Sequence, residues 1–254
     1  MDVGWCARIE RGPQIKALGF DFLEVALGPL NLEDDDSFAA AKAAVARAAL
    51  PMPVFSRLLP LSMRIVGPEA DAERIQRYMA RMAEVTAAAG ADIVVLGAGW
   101  ARSVPDGWSR DRGRDQFLET IGWCADALGN GGAVVALEAP NHAETNLVNT
   151  IAEAVEVAKA VDRPNVRVIA DLYHLYAEPE SFDVVTEFAD WIVHVHLSDS
   201  DRRPPGDGSY DVGPLFDRLK ASGYTGRLSI ESMIEIPEAD MQQALEFVRK
   251  RWAD

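Results

Sequence analysis

Residues 134–142 read VVALEAPNH, an apolar, β-branched run that stops at Glu138. A run without polar alternation suits a strand covered on both faces, as in a parallel sheet. Its polar terminus recurs three times. Residues 166–174, VRVIADLYH, stop at Asp171; 192–199, IVHVHLSD, contain His196; and 228–232, LSIES, stop at Glu231. Three carboxylates and an imidazole thus fall at the C-terminal tips of four apolar runs.

Outward from these four, the chain alternates short apolar runs with longer helical segments. Strands are expected near 3–8, 22–26, 53–57, 91–97, 132–138, 165–171, 191–197 and 227–231. Helices are expected near 37–49, 71–89, 114–129, 148–160, 180–189, 213–222 and 237–252, with a short one within 9–19. Punctuation supports these bounds: Asp71 suits an N-cap, Gly90 and Gly223 suit helix ends, and Pro214 suits a first turn. Eight strands alternating with helices in 254 residues imply an α/β fold, a single (β/α)8 barrel over residues 1–254. An open doubly wound sheet is the alternative, but no GxGxxG follows the first strand.

Composition bounds the partners. Acidic residues number 40 against 25 basic, a formal charge of −15, and mean hydropathy is −0.06. A surface of this sign repels phosphate backbones and anionic membranes, so nucleic acid and membrane partners are not expected. No signal peptide and no span of about 20 apolar residues is evident, which points to a cytoplasmic protein. Cys6 and Cys124 lie apart among apolar residues and read as reduced, buried thiols.

Side chains alternate faces along a strand, so Glu138 shares a face with Ala136 and Val134, Asp171 with Ile169, His196 with His194, and Glu231 with Ser229. If these faces point inward, the four polar residues meet at the barrel mouth. A lone acid at a strand end is more often a cap or loop hydrogen-bonder. Three buried carboxylates together repel one another unless a cation is present. Oxygen ligands with one imidazole suit one divalent ion, Mn2+ or Mg2+, with Co2+ or Zn2+ also accommodated. His194 reads as a core histidine. Two long loops, 97–114 and 198–213, fall on the same C-terminal face, where such barrels build their sites. Trp100 and Trp108 lie in the first, where either could stack on a ligand or pack on the rim. Arg102, Arg110 and Arg112 read as solvated or paired with Asp106, Asp111 and Asp115, with an acidic ligand as the alternative.

Taken with their offsets, these residues give the chain a resemblance to the xylose isomerase-like barrel superfamily of sugar isomerases and epimerases. It is most similar to the branch of D-tagatose and D-psicose 3-epimerases, closely over strands five to eight and loosely elsewhere. The resemblance implies that Glu138, Asp171, His196 and Glu231 bind one metal and that Glu138 and Glu231 also move the proton. It implies that Glu144 (in LEAPNHAE), His174 (in DLYH) and Arg202 (in HLSDSDR) contact substrate, with Trp100 beside them. The implied reaction is α-proton abstraction from a sugar through an enediolate held at the metal. Two departures, Glu138-Ala139-Pro140 for Glu-Pro and Ser198-Asp199 for Gly-Glu, leave the substrate open. The alternatives are a metal-dependent dehydratase or lyase on an inosose or keto-sugar, including C-glycoside cleavage, and a non-catalytic sugar-binding subunit. A small sugar or cyclitol is the expected ligand, and a homo-oligomer is expected by analogy.

Overall fold

The computed structural model describes residues 1–232 and 236–254. Eight parallel strands close on themselves in sequence order: β1 (Val3–Ala7), β2 (Phe22–Ala26), β3 (Val54–Ser56), β4 (Ile93–Leu96), β5 (Val134–Leu137), β6 (Val166–Asp171), β7 (Ile192–Leu197) and β8 (Arg227–Ile230). The seam is a parallel β1–β8 pairing that sets Gly4 against Ser229. The expected (β/α)8 barrel is therefore the observed one.

The helices, in chain order, are α1 (Gly12–Ala17), α2 (Asp35–Val45), α3 (Ala72–Ala89), α4 (Gly99–Arg102), α5 (Arg110–Gly129), α6 (Ile151–Val161), α7 (Leu172–Ala177), α8 (Val184–Glu187), α9 (Gly213–Ala221) and α10 (Glu238–Ala253). Caps explain where they begin. Asp71 accepts from the Arg74 amide at 3.0 Å, and Gly90 closes α3 at φ 69°. Ser109 caps α5 four residues before the expected start, so the first long loop is shorter than it reads. Thr150 caps α6, which begins at Ile151 rather than 148. The segment expected as a helix over 180–189 is mostly a connection. The Glu180 carboxylate accepts from the Ile151 and Ala152 amides at 2.9 and 3.1 Å and so serves α6, leaving the single turn of α8 and a 3-10 turn at Ala189–Trp191.

Two apolar layers result. Helices pack on the outside of the sheet through a large buried cluster that includes Trp5, Tyr78, Phe117 and Phe216. Inside the barrel, Phe22, Val54, Ile93, Val95, Ala136 and Ile169 fill the lower half. These are the inward residues by alternation, and the same alternation carries upward to Glu24, Glu138 and Asp171. A dry plug below and polar residues above confine the chemistry to the C-terminal end. Neither cysteine is in a disulfide, and burial pushes the Cys124 thiol up to about 12. No helix among the described residues is long and apolar enough to cross a membrane.

The β2–β3 side is locked by close backbone approach. A Cβ on Gly28 would overlap the Leu59 carbonyl oxygen, which is backbone and cannot swing away. Gly28→Ala is expected to lower stability by about 1–3 kcal/mol, read by denaturant unfolding.

Candidate active site at the C-terminal mouth

The closed sheet brings Glu138, Asp171, His196 and Glu231 together, each offering one ligand atom within 4.8 Å of the others. Register does this directly: Asp171 pairs with His196 across β6–β7, and His196 with Ser229 across β7–β8. Glu138 follows β5 immediately, and its amide still donates to Leu96 at 3.2 Å. Gly97 faces it without a side chain; a Cβ there would overlap the Glu138 carboxylate. The Glu231 amide donates to Leu197 at 2.9 Å.

Asp171 serves two ends. One oxygen caps α7, accepting from the Tyr173 amide at 2.8 Å. The other is buried and has no hydrogen-bond partner. A buried carboxylate oxygen without a hydrogen bond is costly unless a cation approaches it, and the Arg202 guanidinium comes to 3.5 Å without hydrogen-bonding it. With two more carboxylates and one imidazole nitrogen alongside, the donor set fits a hard divalent ion.

The imidazole of His196 is oriented from behind. Its Nδ1 faces the cage, 3.2 Å from Glu138 and 3.7 Å from Glu231, while its Nε2 lies 2.9 Å from Glu24. A carboxylate at Nε2 fixes the tautomer that leaves Nδ1 free to ligate. Glu24, fully buried on β2, also lies 3.0 Å from His194 Nε2, which meets Ser229 at 3.1 Å. Burial pushes Glu24 up, but the charges and hydrogen bonds of His196 and His194 outweigh it and hold the carboxylate well below its usual range. His194 is thus the core histidine expected, partnered at Nε2 while its buried Nδ1 has no hydrogen bond, and burial lowers its pKa. Sequence reasoning missed Glu24, although an acid inside the apolar run FLEVA was a visible signal.

Within the cage, burial and neighbouring negative charge push Asp171 and Glu231 up. At Glu138, burial is outweighed by His196, His174 and Arg202, which hold that carboxylate low. Arg202 is the cation among them. Its guanidinium lies 3.0 Å from Glu231, 3.5 Å from Asp171, 3.1 Å from Glu144 and 3.1 Å from His174 Nε2, and it stacks on Tyr173 at 4.2 Å. Its loop is knotted by buried Asp199, whose carboxylate accepts from the Ser200, Gly206 and Tyr210 amides at 2.8, 3.0 and 2.8 Å. His174 accepts from the Asn141 amide at Nδ1, 3.2 Å away, so Nε2 carries the proton and faces Arg202. Two N–H donors this close suit one oxygen acceptor that sits to one side of the pair and takes a hydrogen bond from each.

Above the cage opens a cavity of about 520 Å³, lined by Glu138, Glu144, Arg202, Glu231 and Trp100 among others. That is the volume of a small-molecule site. Trp100, on α4, is half-buried at its wall. Trp108 is not in the wall; it carries the Arg112 guanidinium 4.4 Å over its ring. Arg110 and Arg112 in this loop are exposed, as expected, but Arg102 differs. Arg102 is fully buried and donates to the carbonyls of Glu138 and Val148 at 2.9 and 2.6 Å, so it braces the base of the cage. Burial lowers its pKa to about 10, which leaves it charged at neutral pH. Arg110 donates to the Asn146 carbonyl at 2.7 Å, not to an aspartate.

Comparison with known proteins identifies the family to which this barrel belongs. The family model described as Xylose isomerase-like TIM barrel matches residues 13–251. The chain is 26% identical over 252 residues to 3-dehydro-D-guloside 4-epimerase of Escherichia coli strain K12, covering 95% of this chain and 94% of that protein. It is 27% identical over 245 residues to D-psicose 3-epimerase of Agrobacterium fabrum, covering 91% and 81%. Among solved structures, the apo form of a 3-keto-D-glucoside 4-epimerase from E. coli superposes with a TM-score of 0.83 at 24% identity, covering 98% of this chain and 99% of that one.

The bracing of His196 yields a direct test. Glu24→Gln removes the charge behind the imidazole while keeping its shape. Mn2+ affinity, read by calorimetric titration, is expected to fall about 10–100-fold with the fold retained.

Proposed function

Because the chain belongs to the xylose isomerase-like TIM barrel family, we propose that it is a divalent-metal-dependent sugar epimerase that inverts a carbon next to a ketone. One observation carries the reading. Glu138 and Glu231 stand on strands three places apart in the closed sheet, yet both line the cavity and meet within 4.8 Å. Epimerisation needs a base on one face of the reacting carbon and an acid on the other, and two carboxylates reaching in from separate strands supply that pair. A ketose 3-epimerase and a 4-epimerase acting on a 3-keto sugar both fit this description, since each inverts the carbon beside a carbonyl.

Glu138, Asp171, His196 (through Nδ1) and Glu231 would hold the ion, Mn2+ best among Mg2+, Co2+ and Zn2+. When bound, it supplies a Lewis acid that stabilises negative charge developing on adjacent substrate oxygens. The chain's own residues do the rest. One of Glu138 and Glu231 takes the α-proton, and the other returns a proton to the opposite face. Arg202 and the protonated Nε2 of His174 donate to substrate oxygen as charge moves onto it. Glu144 holds Arg202 in place and offers its remaining lone pairs to a hydroxyl. Trp100 supplies an apolar wall, and the buried plug beneath the cage keeps bulk water away from one side of the reacting carbon.

The test is exchange with solvent. Protein with Mn2+ in deuterated water is expected to place one deuterium on the inverted carbon of a ketose such as D-psicose or of a 3-keto-glucoside, read by proton NMR. Glu138→Gln and Glu231→Gln should each slow this by about 10²–10⁴-fold. Unchanged exchange in either variant contradicts the pair, and loss of water or of the aglycone without re-protonation would instead make the protein a lyase. Chelation by EDTA should stop exchange and added Mn2+ restore it; full exchange in metal-free protein sinks the cage.

A further inference from the structure

The cavity is electrostatically two-sided. Its acids, Glu138, Glu144 and Glu231, come from the β5 and β8 side, and Arg202 is already committed to Glu144, Glu231 and Asp171. From the β1–β4 half of the barrel, Arg8 after β1, the neighbour of β8, and Arg57 after β3 also line the cavity. Both are exposed, and among the described residues neither guanidinium forms a hydrogen bond or ion pair. In a chain of net charge −15, two unpaired guanidiniums lining one cavity are a local reversal of the global field.

Their placement is built into the backbone. Alternation puts Gly4, Cys6 and Arg8 on one face of β1, so Arg8 stands one step above Cys6, which also lines the cavity. Arg57 should point the other way, since Val54 and Ser56 are the inward residues of β3. Instead its backbone turns left-handed, at φ 45°, and the side chain enters the cavity wall. A non-glycine residue in that region costs free energy unless its surroundings impose it. Here they do: the Gly28 amide donates to the Arg57 carbonyl and the Leu27 amide to the Ser56 carbonyl, both at 2.9 Å. The strain is held by β2–β3 contacts and delivers a second cation to the mouth.

We infer that the substrate carries an oxyanion, a carboxylate or a phosphate ester, which Arg8 and Arg57 bind while the ketone end sits over the acidic cage. Guanidinium groups suit both anions through paired N–H donors. This inference rests on the epimerase reading for the orientation of the sugar, so binding and turnover are measured apart.

Three ketoses that share one end and differ at the other decide it: D-fructose, D-fructuronate and D-fructose 6-phosphate. With Mn2+-loaded protein, calorimetry is expected to give at least tenfold tighter binding of one anionic ketose than of D-fructose. The better of the two identifies carboxylate or phosphate. In Arg8→Gln/Arg57→Gln that ratio should fall at least tenfold. Arg8→Lys/Arg57→Lys should retain part of it, which a merely structural role would not produce. No preference for either anion, or the same preference in the glutamine variant, overturns the inference. Deuterium exchange on the same three sugars separates the two readings. Arginine-dependent anion binding without exchange leaves this inference standing and removes the epimerase; exchange that is equal on all three does the reverse.

Discussion

Crowding of like charge at one end of a closed barrel is the constraint on which the rest depends. Glu138, Asp171 and Glu231 are brought within a few ångströms by strand register, in a place where burial penalises every ionised form. Carboxylates so placed must be protonated, paired or bound to a cation. The surroundings answer this with positive charge and oriented donors. His196 is pinned by Glu24, Arg202 spans Glu231, Asp171 and Glu144, and Arg102 ties the Glu138 carbonyl from below. An apolar plug under the cage leaves the charged groups no alternative partners.

Each support has a local origin. Asp199 knots the β7–α9 loop through three backbone amides and so carries Arg202 over the cage. Tyr176 and Tyr210 stack at 4.1 Å and clamp the same loop against α7. Asp171 caps α7 with one oxygen, which orients the other toward the cage. The helix-capping reading holds for one oxygen, and the other is left for the ligand role proposed above.

The barrel and its four polar strand tips were legible because both are one-dimensional signals: apolar runs of strand length, and a change to a polar residue at their ends. Glu144, His174 and Arg202 came from offsets within a resemblance, and the fold brings His174 and Arg202 within 3.1 Å of one another. What escaped had no periodic signature. Glu24 acts across the barrel on His194 and His196, about 170 residues away, and only closure of the sheet makes that contact. Arg102 sits in a loop rich in charge and read as solvated, yet it is buried beneath the cage. Arg57 enters the cavity by a left-handed residue that alternation along β3 points the wrong way. The helix over 180–189 was misplaced because Glu180 is used as a distant cap for α6.

In the proposed function, crowding at the barrel mouth is resolved by one divalent ion held through His196 Nδ1. Anomalous diffraction from crystals grown with Mn2+ tests it most directly. A single strong peak is expected among Glu138, Asp171, Glu231 and His196, with Nδ1 as the imidazole ligand and Nε2 still on Glu24. No peak there, or a peak beside Cys6 and Glu24 with Nε2 as ligand, would contradict it.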